Sequence, residues 1–427
     1  MGNSGSSSGP HLHFEVRDTR TQEPINPALF GFEIADHTPP AMRQLKVYAL
    51  NDRLETIGEQ LFRLRKNGRH YRLSEDTLVV GAWRVGFGLK VYDQHDHVPN
   101  LNGIYALRMY VDDSLWYAFE MERFSFAQTR YLNAHVDYAA RVRDRAWFNR
   151  TWLLPGNRLE AYPHVSGQRG ALPLYRNRPA HVRLVAEDPW GNQSELTFWI
   201  RRGEVTPPPP RPYNYHIDWA TGGTVRLDGL RLHLPKGALY EDLYLQCDIQ
   251  NDTDAAHYAH RYRLASPEVP VHRWAELAIA PARTLPPRLR SKAFVGWFDD
   301  SGQLVSCGGT WHDDGMLHAH VRQLGDFTIG IDTVPPTVEP VSFSRDMRGR
   351  SQMRFRITDN QPVTGRARGL RYRATVDGRW ILMEYDAKKD LLIHEFDGRI
   401  GPGEHHLRIV VTDDRGNRTT QTYTFIR

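Results

Sequence analysis

Two distant stretches of the chain carry the same punctuation, and that repeat limits the fold more than any other feature. Each copy opens on Asp-x-x-Pro-Pro, once at Asp36 with Pro39 and Pro40 and again at Asp332 with Pro335 and Pro336. Each then has an Asp with a Gly ten residues further on, Asp93 with Gly103 and Asp359 with Gly369. Each closes on an apolar run, Asp-x-x-Gly-Asn, and a second run. The closing turns are Asp188, Gly191 and Asn192 in one copy and Asp413, Gly416 and Asn417 in the other. Glycine supplies the positive φ such a hairpin turn requires, and Asn tolerates it next best. The separation between matching residues shrinks along the chain, so the first copy carries insertions in at least two loops. In the second copy Met353, Phe355 and Ile357 alternate with Arg354 and Arg356, and Leu370, Tyr372, Ala374 and Val376 repeat the pattern. A period of two broken by turn signals predicts a β-sandwich of immunoglobulin-like topology, without the Cys…Trp…Cys signature of antibody domains. One helix is expected, inside the first copy's insertion, from Phe126 to Arg145.

The repeat divides the chain. Residues 34–204 form an Ig-like sandwich with insertions, and residues 332–427 form its second version. A run of four prolines, Pro207 to Pro210, marks a stiff polyproline II linker at 205–213. Residues 214–331 match neither copy, yet Leu230, Leu232 and Leu234 alternate with Arg231 and His233, so this region is also β. There the stretch Gly222-Gly223-Thr224-Val225-Arg226-Leu227, followed by Pro235-Lys236-Gly237-Ala238-Leu239, resembles the β-rich spectrin-binding module of ankyrins. That resemblance carries no chemistry. The expected fold class is all-β, with three β-sandwich domains after a short first segment.

Composition excludes several classes. The 427 residues carry 55 Lys plus Arg against 50 Asp plus Glu, a net charge of +5 without any basic run, so nothing points to nucleic acid as a partner. Apolar runs are only a few residues long, which excludes a transmembrane helix. With 40% hydrophobic residues there is enough apolar material for several cores. Cys247 and Cys307 are the two cysteines; they can pair in an oxidising compartment or stay free. No CxxC, GxxxxGK or GxSxG motif occurs. The opening Met1 to Gly9 has neither a charged n-region nor an apolar h-region, so it is not a signal peptide.

The segment 1–33 holds the one motif with chemistry in it. His11-Leu12-His13-Phe14-Glu15-Val16-Arg17 alternates, which predicts a half-buried strand with Leu12, Phe14 and Val16 on one face. His11 and His13 then share the open face, roughly 6–7 Å apart by the strand rise. Two imidazoles so placed suit one metal ligand and one group acting beside a metal-bound water. The wider run from Gly2 through Gly9-Pro10-His11-Leu12-His13-Phe14-Glu15-Val16-Arg17 resembles the C-terminal signature of the lysostaphin-like (LytM-type) zinc metallopeptidases, which cut peptide cross-links in bacterial peptidoglycan. Pro24-Ile25-Asn26-Pro27 looks like that family's end. The resemblance implies that His13 is a zinc ligand and His11 a catalytic residue. It also implies that residues 1–33 are the remnant of a peptidase β-sheet. Zinc is the cofactor it implies, peptidoglycan or another cell-envelope component the partner, and the periplasm or cell exterior the location.

One departure counts against an active chain. The family takes its other two protein ligands from an earlier H-x-x-x-D motif, and none of the 20 histidines here has Asp four residues later. A catalytic zinc needs three protein groups plus water. The expectation is therefore the C-terminal part of a longer cell-envelope zinc endopeptidase, inactive alone. The alternative is a non-catalytic wall scaffold, an activator, or a glycan-binding β-sandwich protein. Two further histidine groups are weighed as metal sites against polar loops and strands: His95-Asp96-His97, and His312 with Asp313, Asp314, His318 and His320. Trp147, Trp152 and Trp190 are the candidates for glycan stacking on a surface.

Overall fold

The computed structural model describes residues 13–32, 34–205, 211–252, 254–264 and 266–427. The chain is all-β, with three separate hydrophobic cores strung along it. The polyproline stretch expected at 207–210 lies outside the described residues.

The first sandwich packs two sheets. One runs in the order Asn149–Arg150, Arg84–Tyr92, Ala41–Leu50, Thr56–Arg63. The other is built on Ser114–Glu120, Ala106–Val111, Ala180–Glu187 and Gln193–Arg202, with Thr77–Val80 added parallel to the last of these. Alternate residues point inward, so Leu45, Phe87 and Leu89 of one sheet meet Met109, Leu184 and Phe198 of the other, all buried. The Phe87 and Phe198 rings meet edge to face at 5.4 Å. The middle domain holds a pair of five-stranded sheets and a two-stranded one that pairs Tyr215–Ile217 with Leu243–Leu245. The alternation of Leu230, Leu232 and Leu234 holds there: all three are buried on the inner face of the strand Leu230–Leu234. The last sandwich pairs two four-stranded sheets, one holding Gln352–Thr358 and the other holding Arg371–Val376 and Glu404–Thr412. Met353, Phe355 and Ile357 are fully buried, as their spacing requires; each such side chain contributes about 1.5–3 kcal/mol on leaving water.

The expected helix from Phe126 to Arg145 is broken into three pieces. A 3-10 turn spans Phe126–Tyr131, then short α-helices span Leu132–His135 and Tyr138–Asp144. The break falls at Val136, which is extended and bridges to Asn149. Asp137 restarts the helix by accepting from Ala140 N at 3.0 Å, which is the ordinary role of Asp at an N-cap. Its other oxygen takes Lys46 Nζ at 3.0 Å and the Tyr48 hydroxyl at 2.7 Å. A helix running straight through would lose all three partners.

The modules are joined by hydrogen bonds to main-chain carbonyls, from backbone amides and from guanidinium groups. Gly156 N donates to Tyr240 O at 2.7 Å, and Arg130 donates to Val271 O, tying the first sandwich to the middle domain. A Cβ on Gly156 would lie 2.8 Å from Tyr240 Cα, so this approach requires glycine. Between the middle and last domains, Ser306 N donates to Pro362 O and Thr364 N to Ser306 O, both at 2.8 Å. Arg415 reaches back to Ala293 O at 2.8 Å and Gly309 O at 3.1 Å.

The first segment differs from its expectation. Among the described residues the strand spans Val16–Arg17 and pairs with Pro24–Ile25. Phe14 is 57% exposed, in contact with Phe32 at 5.2 Å. Alternation alone cannot bury a face when no sheet covers it. The hairpin is fastened to the first sandwich instead, through Asn26 N to Glu122 O at 2.8 Å and Phe124 N to Pro24 O at 3.3 Å.

Candidate functional site

His11 lies outside the described residues. His13 is described, in irregular backbone, with its side chain 74% exposed and Glu15 at 3.5 Å from its ring. Neither of the two groups of metal-capable side chains found among the described residues includes His13.

The convergent chemistry lies at the repeated turns. In the last sandwich three carboxylates arrive from three separate segments. Asp332 follows the middle domain's strand Gly325–Ile331, Asp359 follows Gln352–Thr358, and Asp413 follows Glu404–Thr412. One oxygen from each lies within 4.8 Å of the others. Asp332 is 3% exposed and Asp413 1%. The turn holds each in place. Asp413 accepts from Asn417 N at 2.8 Å, Asp332 from Val334 N at 3.0 Å, and the Asn417 amide donates to Asp332 O at 3.0 Å. Asp359 Oδ1 and Asp413 Oδ2 are buried with no hydrogen-bond partner. Burial, and then the carboxylates of Asp332 and Asp413, push the Asp359 carboxyl up to about 6.

The first sandwich repeats the arrangement. Asp36 accepts from Thr38 N, and Asp188 accepts from Trp190 N and Asn192 N within its hairpin turn. Asp36, Asp93 and Asp188 are all buried. Asp36 Oδ2 and Asp93 Oδ1 have no partner. Burial, and then the carboxylates of Asp188 and Asp36, push Asp93 up to about 6. Two details differ. The Asn192 amide donates both to Asp36 O at 3.0 Å and to Asp188 Oδ2 at 2.7 Å, closing the oxygen that its counterpart leaves free. The His95 ring also joins Asp36 and Asp93 within 4.8 Å and packs edge-on against Trp190.

The nearby basic groups face other carboxylates. His37 pairs with Asp96 at 2.8 Å and Arg415 with Asp414 at 2.6 Å. The residues of both clusters were visible in the repeat as turn and boundary signals. What sequence spacing did not reveal is that Asp332, Asp359 and Asp413 meet in the last sandwich, and Asp36, Asp93 and His95 in the first.

The remaining candidates separate. In His95-Asp96-His97, Asp96 binds His37 and Thr38, and these bonds hold its carboxyl well below the usual range. His97 does not join the cluster around His95. His312 and His318 stack at 3.8 Å, and both His318 ring nitrogens face carboxylates, Glu276 at 2.8 Å and Asp314 at 3.0 Å. His320 points to solvent on the same strand. Trp152 is 1% exposed, packed on Tyr48 and Gly86, so it is a core residue and not a stacking surface. Trp147 is exposed with Arg141 over its ring, and Trp190 is half-buried. Cys247 and Cys307 are free and buried, and burial pushes the thiols up to about 11 and about 12. Burial thus disfavours the thiolate form of both.

Residues 214–332 match the Zu5-like domain family. No curated protein matches the chain. Among solved structures it is similar to the fibronectin(III)-like modules of Clostridium thermocellum CbhA, at 8% identity over 82% of this chain and 88% of that one, with a TM-score of 0.17. It is also similar to the SGBP-B protein of the Bacteroides ovatus mixed-linkage glucan utilization locus, solved with a mixed-linkage heptasaccharide, at 8% identity, 92% and 71% coverage and a TM-score of 0.17. A Ca2+-stabilized adhesin of an Antarctic bacterium gives 9% identity, 83% and 96% coverage and a TM-score of 0.16. Superpositions this loose carry nothing about function or module arrangement. No helix among the described residues is long and apolar enough to cross a membrane.

Proposed function

We propose that this chain is the β-sandwich arm of a cell-envelope zinc endopeptidase of the lysostaphin-like class, acting on peptidoglycan peptide cross-links in the periplasm or outside the cell. By itself the chain is inactive. The observation that carries this reading is the run through His11-Leu12-His13-Phe14-Glu15-Val16-Arg17, with the hairpin that follows it anchored on the first sandwich through Asn26 and Glu122. An anchored hairpin makes the position of the family's last catalytic strand depend on the arm. The test has two parts. Equilibrium dialysis of this chain with zinc should show no tight binding. A fusion placing a lysostaphin-type H-x-x-x-D segment ahead of residue 1 should bind zinc and cleave purified peptidoglycan, and lose both with His13→Ala. Tight zinc binding by the unfused chain, or cleavage that survives His13→Ala, contradicts the reading.

A second reading, glycan docking by the arm, rests on a groove of about 990 Å³ in the last sandwich. Trp380 lines it at 58% exposure beside Arg379, Glu384, Glu395 and Arg399. An exposed indole among polar groups suits sugar stacking. Sedimentation with insoluble peptidoglycan that is lost in Trp380→Ala supports this role; sedimentation unchanged by that substitution removes it.

A further inference from the structure

We propose that the pocket formed by Asp332, Asp359 and Asp413 is a calcium site that braces the joint between the middle domain and the last sandwich. This inference stands apart from the peptidase reading and needs none of it.

Three observations carry it. First, the pocket gathers carboxylate oxygens from three segments within 4.8 Å, and Asp359 Oδ1 and Asp413 Oδ2 are shut away from water without a hydrogen bond. Removing a carboxylate from water is expensive unless a counter-charge or donors replace the water. The guanidinium of Arg415, in the turn between Asp413 and Asn417, is held by Asp414 and by main-chain carbonyls. Secondly, the turns hold the carboxylates in this convergent position. Main-chain donors fix one oxygen each of Asp332 and Asp413, and the Asn417 amide fixes the Asp332 carbonyl. One oxygen of each of the three carboxylates lies within 4.8 Å of the others. Thirdly, a related construction recurs in the first sandwich, where Asp36 and Asp93 converge with His95 and Asp188 is buried at the matching turn, although the two copies have different insertions and neighbours. A pocket of mutually repelling charges is kept in both.

An all-oxygen donor set with several carboxylates suits a hard cation, and a site assembled from three loop ends favours calcium over magnesium, which demands a smaller and stricter octahedron. The first pocket is poorer in this respect. Asn192 occupies Asp188 Oδ2, and an imidazole replaces one of the oxygen donors. The location gives the ion its role. Asp332 directly follows the strand Gly325–Ile331 of the middle domain, and its N–H donates to Lys292 O at 3.0 Å, while Asp359 and Asp413 belong to the last sandwich. An ion held by all three would couple the two bodies.

The test uses the full chain, stripped with chelator and melted with and without millimolar calcium. The transition of the last sandwich should move upward by roughly 5–10 °C with calcium. The double variant Asp359→Asn plus Asp413→Asn should lose that response. Without calcium it should melt at or above the unmodified chain, because it no longer buries like charges. Equilibrium dialysis of the unmodified chain gives a reading that does not depend on the variant folding. It should show saturable calcium retention that equimolar magnesium displaces poorly. No melting shift and no saturable retention would overturn the proposal, as would a full calcium response in the double variant.

Discussion

The first and last sandwiches bury equivalent aspartates at equivalent turns, yet one amide divides them. In the first, the Asn192 side chain spans the Asp36 carbonyl and the Asp188 carboxylate. In the last, Asn417 reaches only the Asp332 carbonyl, and Asp413 Oδ2 stays bare. The fate of a buried charge is thus set by where one neutral donor points, not by the turn sequence, which is nearly the same in both copies. The second difference is the insertion. The first copy carries Trp152 and the broken helix, and with them a second small core around Tyr48 and Leu50 that the last copy lacks.

The largest effect should come from that extra core. Trp152→Ala removes a fully buried indole lying on Gly86 and Tyr48, and should cost the first sandwich about 3–5 kcal/mol. Calorimetric melting should show one lowered transition while the last sandwich keeps its own. If both fall together, the two copies unfold as a unit and cannot be compared as independent bodies.

The next effect is acid sensitivity confined to the first copy. His135 is buried against Phe119, accepts from the Tyr162 hydroxyl at 3.1 Å and donates to Asn149 Oδ1 at 3.1 Å, so it is held neutral. Burial lowers its pKa to about 4 from an ordinary 6.5. The unfolded chain then binds the proton more readily than the folded one. Stability from this source is complete above pH 6.5 and erodes as pH falls towards 4, by about 3 kcal/mol in all. Melts at pH 7 and pH 4.5, repeated in His135→Gln, should show a pH-dependent component in the first sandwich that the variant lacks. An equal component in the variant assigns the acid sensitivity elsewhere.

The smallest effects test the amide itself. Asn192→Ala should cost about 2–3 kcal/mol, since it strips a bond from a buried carboxylate, and Asn417→Ala about 1–2 kcal/mol. Asn192→Ala also frees Asp188 Oδ2, so it should make the first sandwich more responsive to calcium in the same melting assay. Unchanged calcium response in that variant means the amide is not what separates the copies.

The β architecture was legible because period-two alternation reports burial directly, as Met353, Phe355 and Ile357 show. The repeat was legible because turns need particular residues at Gly191 and Gly416, where φ is 84° and 76°. The helix was misjudged at Val136, because its break comes from partners brought in by distant strands at Lys46 and Tyr48. Trp152 was placed on the surface because nothing local marks the glycine that receives it. Of the strand expected at His11–Arg17, the described part from His13 is a strand only at Val16–Arg17, since alternation describes a face but not whether any sheet lies against it. The aspartate pockets were the deepest omission. Their members are dispersed along the sequence, and only the closing of the sandwich gathers them.

The most direct measurement is a calorimetric calcium titration of the chelator-stripped full chain at pH 7, beside Asp413→Asn. The account predicts saturable binding heat in the unmodified chain that is abolished or strongly weakened in the variant. Equal heats in both, or none in the unmodified chain, would contradict it.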